Sequence, residues 1–325
     1  MKAMVRTRYG PPDVLRLTEV EKPVPNGNEV LVEVHAASVN PLDLFQLQGV
    51  PLLRSLPGMR TPKQQILGCD ISGRVETVGE HVKKFQQGDE VFGVTGFGGG
   101  GFAEYVCSVE DRLALKPKNL SFEEAAGVPV AGITALQGLR DQGRVQPGQK
   151  VLIDGASGGV GTFAVQIAKS FGAEVTAVCS TRNVETARTL GAAHVIDYKS
   201  EDFTRNRQRY DVILGVNAYH GIFDYWRALE PGGIYVIIGG AFPRIFQALL
   251  LGPLLSRFGG KKARFFIAKI NQKDLGLLSD LLAAAKVRCV LDKQFALSEA
   301  AEALRYLKEH HARGKIVLRM KSRES

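Results

Sequence analysis

Hydrophobic spacing changes character along the chain. In the first third, apolar and polar residues alternate over short stretches, as in Val30 to Val34 around Glu33 and in Gly73 to Val78. Gly and Pro separate these runs at Pro23, Pro25, Gly27, Gly68, Gly79, Gly88 and Gly93, and again from Gly96 to Gly101. A period of two bounded by turn formers predicts short strands in a small barrel-like or sandwich-like domain.

From residue 151 the pattern is different. Val151 to Ile153 is a short apolar run that ends in a glycine-rich turn. Val160, Phe163, Ala164, Ile167, Ala168 and Phe171 then recur at helical spacing, and Gly172 ends the helix. Val175 to Cys179, Val195-Ile196, Val212 to Val216 and Tyr235 to Ile238 read as further strands, with a helix from Val184 to Leu190. Strands alternating with helices predict an α/β domain, a doubly wound parallel sheet with helices on both faces.

The segment Phe242 to Phe266 fits neither pattern. Leu249 to Leu251, a Gly-Pro break and Leu254-Leu255 precede Gly259-Gly260-Lys261-Lys262 and Arg264. Three roles fit it: a lid on a substrate cleft, a subunit contact, or a peripheral membrane contact. Beyond it, helices are expected from Asp274 to Ala285 and from Ser298, as N-cap, to Leu307. Lys315 to Leu318 is a closing strand.

Length and composition narrow the class. A chain of 325 residues exceeds one core, which stops growing at roughly 250–300 residues, so two domains are expected. Hydrophobic residues at 45% and charged residues at 23% exclude a disordered or collagen-like chain. The formal charge of +9 is spread out, with short clusters such as Lys261-Lys262 and Lys321 to Arg323. No basic run is interleaved with aromatics, so nucleic acid is not an expected partner. Cys69, Cys107, Cys179 and Cys289 stand far apart, without CxxC or a Cys/His cluster. That argues against a disulfide framework and a zinc knot, and predicts a reducing compartment, taken as the cytoplasm. Met1 to Pro12 lacks the apolar core of a signal peptide, and no run of eighteen apolar residues occurs.

The candidate chemistry lies in Val151-Leu-Ile-Asp-Gly155-Ala-Ser-Gly158-Gly-Val-Gly161. Glycine without a Cβ permits the sharp strand-to-helix turn. The helix N-terminus offers unpaired N–H groups and partial positive charge to a pyrophosphate. Strand, turn, amphipathic helix and second strand occur in the order a dinucleotide site requires; the alternative is a tight turn with no ligand. A P-loop is excluded, because no Lys-Ser/Thr pair follows Gly161. The second strand ends Cys179-Ser180-Thr181-Arg182-Asn183, with no acid before Glu185. Hydroxyls and a guanidinium suit a 2′-phosphate, hence NADPH over NADH, unless Arg182 is a solvated loop residue.

These motifs resemble the zinc-independent, quinone oxidoreductase-like branch of the medium-chain dehydrogenase/reductase superfamily, over nearly the whole chain. Tyr9-Gly-Pro-Pro-Asp-Val-Leu, Asn40-Pro-Leu-Asp43, Gly68-Cys-Asp70-Ile-Ser-Gly73, Gly88-Asp-Glu-Val-Phe-Gly93, Gly101-Phe-Ala-Glu-Tyr-Val106, Gly155 to Gly161 and Gly314-Lys-Ile-Val-Leu318 follow in family order. Asn271 and His310-His-Ala-Arg-Gly314 are similar to members related to the mitochondrial reticulon-interacting and chloroplast-envelope reductases.

The resemblance implies a β-rich, GroES-like catalytic domain formed by 1–123 and 268–325, around a Rossmann domain formed by 124–267. It implies NADPH as cofactor, a quinone or enone substrate, and a homodimer. By position, Ser157, Gly158, Gly159 and Val160 would meet the pyrophosphate. Ser180, Arg182 and Tyr198 would meet the 2′-phosphate end. Asn40, Thr134, Asn217 and Lys315 would lie near the nicotinamide ribose or carboxamide. Capping, core or turn roles are the alternatives for Thr134, Tyr198 and Asn217.

Zinc relatives place Cys at the position of Asn40 and Gly-His-Glu at that of Gly68-Cys69-Asp70. Cys69 and Asp70 do not supply the three ligands a catalytic zinc needs, so no metal is expected. Phe45 stands where many quinone reductases carry a tyrosine, which removes a hydroxyl that would orient the substrate carbonyl. Asn40 and Asp43 are the candidates for a catalytic polar role; for Asp43 a capping role competes. The expected reaction is NADPH-dependent hydride transfer to a quinone or α,β-unsaturated carbonyl. Alternatives are a non-zinc alcohol dehydrogenase or reductase of the same superfamily, and a membrane-associated NADPH-binding module with little turnover.

Overall fold

The computed structural model describes residues 1–49, 61–63, 65–96, 99–258, 260–309 and 312–320. Gly98, Gly259, His310, His311 and the Lys321 to Arg323 cluster, all singled out above, lie outside the described residues. The chain divides into two compact units: 1–130 with 270–285 and 289–325, and 131–269 with 286–288.

The first unit is β-rich and GroES-like. Its main sheet runs in the order Leu291–Ala296, Lys315–Arg319, Glu29–Val39, Asp70–Val78, Glu90–Val94, Leu113–Leu115. Tyr105–Val109 also pairs with Glu29–Val39. That long strand presents Val30, Val32 and Val34 to a core shared with Ile71, Val75 and Val91, as period two dictates. The closing strand pairs antiparallel with it, Val317 opposite Ser38. The C-terminal residues therefore complete a sheet begun near the N-terminus. A short helix, Pro41–Gln48, leaves the long strand at Asn40, with Pro at its first position where a missing N–H costs nothing.

The second unit is a Rossmann-type sheet. All six strands are parallel, in the order His194–Asp197, Glu174–Cys179, Lys150–Asp154, Tyr210–Gly215, Leu229–Ile237, Lys262–Phe265. The helix Gly159–Ser170 is buried from Gly161 to Ala168 without interruption, so it is covered on more sides than one apolar stripe requires.

Three elements depart from the sequence reading. Phe242–Phe258 is one helix with Pro253 inside it, and the basic stretch after it becomes the sixth strand. Gly252 permits this packing, because a Cβ there would lie 3.2 Å from that of Ala263. The helix expected from Asp274 spans Gln272–Ala283, and its cap is Asn271, whose side chain accepts from the N–H of Asp274 at 2.9 Å. Ser298 does not cap the helix Ala300–Glu309. It lies inside a preceding 3₁₀ turn, where the Glu299 carboxylate accepts from the Ala296 N–H at 2.6 Å.

Candidate functional site

In the Rossmann unit the strand Lys150–Asp154 ends in Gly155, held at φ +90°. A Cβ at Gly155 would stand 2.9 Å from that of Asn217, and a Cβ at Gly161 would stand 2.1 Å from the Gly155 carbonyl oxygen. Both glycines are therefore required by close backbone approach. Gly158 differs: it is the N-cap, no side chain caps the helix there, and a Cβ would meet nothing within 4 Å. Ser157, Gly158, Gly159 and Val160 stay half-buried beside the buried run Gly161 to Ala168. An open, uncapped N-terminus carries partial positive charge and donor N–H groups, which fits a dinucleotide pyrophosphate.

The Asp154 carbonyl accepts from the N–H groups of Val216 and Asn217, tying the Asn217 loop to the glycine turn. Asn217 is exposed, and its Nδ2 donates to the Tyr219 hydroxyl at 3.3 Å. Asp154 itself is buried, accepts a short hydrogen bond from the Tyr225 hydroxyl, and is pushed up to about 6 by burial. Tyr225 stacks on Tyr235 at 4.3 Å. Thr134 lies half-buried on the helix Pro129–Gln137.

Ser180, Arg182 and Tyr198 gather at the C-terminal ends of two paired strands. The Tyr198 N–H donates to the Cys179 carbonyl at 3.1 Å, and the Ser180 hydroxyl accepts from Asn183 Nδ2 at 3.0 Å. Arg182 and Tyr198 are exposed. Two neighbours were missed from sequence. Asn183 is buried, and its Oδ1 has no hydrogen-bond partner. The Asp197 carboxylate is held below its ordinary range by hydrogen bonds, foremost from the Thr181 side chain. Parallel pairing brings Asp197 opposite Cys179, a proximity that sequence spacing does not reveal.

In the β-rich unit a second cluster forms. Asp70 is fully buried; one carboxylate oxygen accepts from Ser38 Oγ at 2.9 Å and Asn40 Nδ2 at 3.0 Å. The other accepts from the Val130 N–H at 3.1 Å. Lys315 donates to Asn40 Oδ1 at 2.6 Å and lies 3.7 Å from the Asp70 carboxylate. Burial raises the Asp70 carboxyl, while the Lys315 ammonium opposes that rise. Asp43 accepts from the N–H groups of Asn40 at 2.7 Å and Gly68 at 3.1 Å. It is fully buried, and burial pushes it up to about 7.

The structure thus brings Asn40, Asp43 and Lys315 together and adds Asp70, which sequence reasoning had treated only as a rejected metal ligand. Asp43 spends both oxygens on main-chain donors, as a cap does. Phe45 is on the partly exposed side of the same short helix. Cys69 is buried, with its thiol pushed well above the ordinary value by burial. Among the described residues no group of three His, Cys, Asp or Glu side chains is placed to hold a metal ion.

Known proteins match this chain along its length. The family described as alcohol dehydrogenase GroES-like domain matches residues 26–118, and that described as zinc-binding dehydrogenase matches 190–318. The mitochondrial NAD(P)H oxidoreductase RTN4IP1 of Homo sapiens is 35% identical, over 98% of this chain and 89% of its own. The chloroplastic NADPH-dependent alkenal/one oxidoreductase of Arabidopsis thaliana is 34% identical, over 98% of this chain and 79% of its own. The solved quinone oxidoreductase of Coxiella burnetii superposes with a TM-score of 0.86 at 33% identity, covering 99% of each chain. The expectation of a cytoplasmic location is corrected by these findings: similar proteins are named mitochondrial or chloroplastic. Widely spaced, unpaired cysteines report a reducing environment, and such an environment is not confined to the cytoplasm.

Proposed function

Because the chain belongs to the zinc-independent, quinone/enone-oxidoreductase-like branch of the medium-chain dehydrogenase/reductase superfamily, we propose that it uses NADPH to reduce a quinone or an α,β-unsaturated carbonyl. The observation that carries the reading is the Gly155 to Gly161 turn, where two glycines are forced by close approach and the third leaves an open, uncapped helix end.

A nicotinamide held there would supply hydride from its C4. Ser157, Gly158, Gly159 and Val160 present main-chain donors to the pyrophosphate. Ser180, Arg182 and Tyr198 receive the 2′-phosphate end, where the guanidinium favours NADPH and the Asp197 carboxylate opposes it. In the Rossmann unit Thr134 and Asn217 would orient the nicotinamide end; in the β-rich unit Asn40 and Lys315 are the groups proposed for its ribose or carboxamide. Asn40 and Asp43 are the proposed polar residues of the catalytic cluster: Lys315 and Asp70 hold the Asn40 carboxamide, and Asp43 fixes the Asn40 main chain. A conjugated acceptor would spread the charge left by such a reduction onto its oxygen, and the balancing proton would come from solvent.

The test is steady-state oxidation of NADPH and of NADH against a panel of quinones and enones, with alcohol oxidation as control. Acceptor-dependent oxidation with a preference for NADPH is expected. Stoichiometric NADPH binding without turnover on the whole panel, or alcohol oxidation alone, overturns the reading.

A further inference from the structure

Asn183 stands between the strand Glu174–Cys179 and the next helix, Val184–Thr189. It occupies the N-cap position, where an asparagine side chain ordinarily accepts from the first free N–H groups of the helix. Here it caps nothing. Its Nδ2 turns back instead and donates to the Ser180 hydroxyl oxygen at 3.0 Å. Its Oδ1 has no hydrogen-bond partner among the described residues. Both side chains are buried, Asn183 at 3% exposed and Ser180 at 7%. A buried amide that serves a neighbour and leaves its own oxygen unsatisfied calls for a reason beyond stability.

Holding the turn is not that reason. The Asn183 N–H donates to the Ser180 carbonyl at 2.8 Å, which closes the 3₁₀ turn Thr181–Asn183 through the main chain. The Asp197 carboxylate braces the turn from the neighbouring strand, accepting from the Thr181 side chain and from the Lys199 N–H at 3.0 Å. What the Asn183 side chain adds is the setting of the Ser180 hydroxyl. An amide NH₂ is a donor only, so it occupies a lone pair of Oγ and the hydroxyl proton must point elsewhere. Among the described residues no acceptor takes that proton. Ser180 thus keeps a free donor on a turn whose Arg182 is exposed. A free donor beside a guanidinium suits an anion. A carboxylate in place of the amide would draw the proton inward and present a lone pair to the same anion.

Resting on the assignment of the 2′-phosphate to Ser180, Arg182 and Tyr198, we propose that Asn183 is the positioning residue of that end: it turns the Ser180 proton toward the phosphate and so helps to select NADPH. The test is titration calorimetry of the full chain with 2′,5′-ADP and with 5′-AMP, beside melting curves. The unmutated chain should bind 2′,5′-ADP at least about tenfold more tightly. Asn183→Asp, nearly equal in shape, should reduce that preference by about tenfold and leave 5′-AMP within about twofold. Ser180→Ala should remove most of the preference. Added to Ser180→Ala, Asn183→Ala should cost less than about a further twofold, because Asn183 acts through that hydroxyl. A role in folding alone would weaken both nucleotides together. The inference fails, with the phosphate assignment intact, if the unmutated chain discriminates and Asn183→Asp and Asn183→Ala discriminate equally well. It fails in the same way if Asn183→Ala costs as much without the Ser180 hydroxyl as with it. If the unmutated chain holds both nucleotides alike, the phosphate assignment is itself overturned and the inference with it.

Discussion

The ammonium of Lys315 donates to the carboxamide oxygen of Asn40 at 2.6 Å, across 275 positions of chain. The same carboxamide donates to Asp70, so its orientation is fixed from both ends. Lys315 and Asn40 are each 4% exposed and Asp70 is 0% exposed. Removing one member strands a charge or a polar group where water does not reach.

Asp70→Asn is therefore expected to cost about 3–5 kcal/mol of stability, because it leaves the Lys315 ammonium without its counter-charge. Replacing both members, as Asp70→Leu with Lys315→Met, should cost less than either alone. Urea titrations of the four proteins measure the coupling. Simple additivity would show that the pair does not act as a unit.

The contribution of Asp154 to stability should fall as pH rises from about 4 to about 6. Asp154 is raised to about 6 in the folded chain, against an ordinary value near ~3.9 when unfolded. The folded state therefore holds this proton more tightly, and its advantage disappears as pH climbs through the folded value. Asp154→Asn should remove about 2–3 kcal/mol of that decline. Asp43, raised to about 7, leaves a residual slope. Denaturation midpoints across this range decide the matter, and an unchanged slope would refute the assignment.

The glycines of the turn should separate folding from nucleotide binding. Gly161→Ala drives a methyl to 2.1 Å from a backbone oxygen, so thermal stability and binding should both drop. Gly158→Ala meets nothing within 4 Å at φ −80°, so its cost should be that of a poorer N-cap alone, no more than about 1 kcal/mol. The added methyl occupies the mouth of the site, and NADPH affinity should fall at least tenfold. Fluorescence titration beside a melting curve separates the two effects.

Arg182→Ala should weaken NADPH by about tenfold and leave NADH unchanged, since a charge-assisted bond is worth roughly 1.5–3 kcal/mol before solvent screening. Asp197→Asn should act in the opposite direction and favour NADPH. Equal effects on both nucleotides in either variant would remove the 2′-phosphate assignment.

The Gly155 to Gly161 turn was legible because its demand is steric: without Cβ the backbone closes, and with it the backbone cannot. The capping role of Asp43 was also open to reading, since Asn40-Pro-Leu-Asp43 has the spacing of a capping box. The strand Lys262–Phe265 was hidden by its four-residue length and two cations, which read as solvated surface. Asp70 was hidden for another reason. Its meaning comes from Lys315 and Val130, which only the sheet register and the next helix bring near. Local patterns report what a segment does to itself; they are silent about a partner supplied by topology.

Lys315–Arg319 lies between Leu291–Ala296 and Glu29–Val39. During synthesis the β-rich unit must wait for residues 315–319 to emerge before its central strand has both neighbours. The Rossmann unit, whose strands are all made earlier, has no such delay. A ribosome stalled shortly before residue 315 would hold one unit ready to fold and another with a gap in its sheet and Asp70 lacking its cation, a species that quality control would meet as an aggregation hazard.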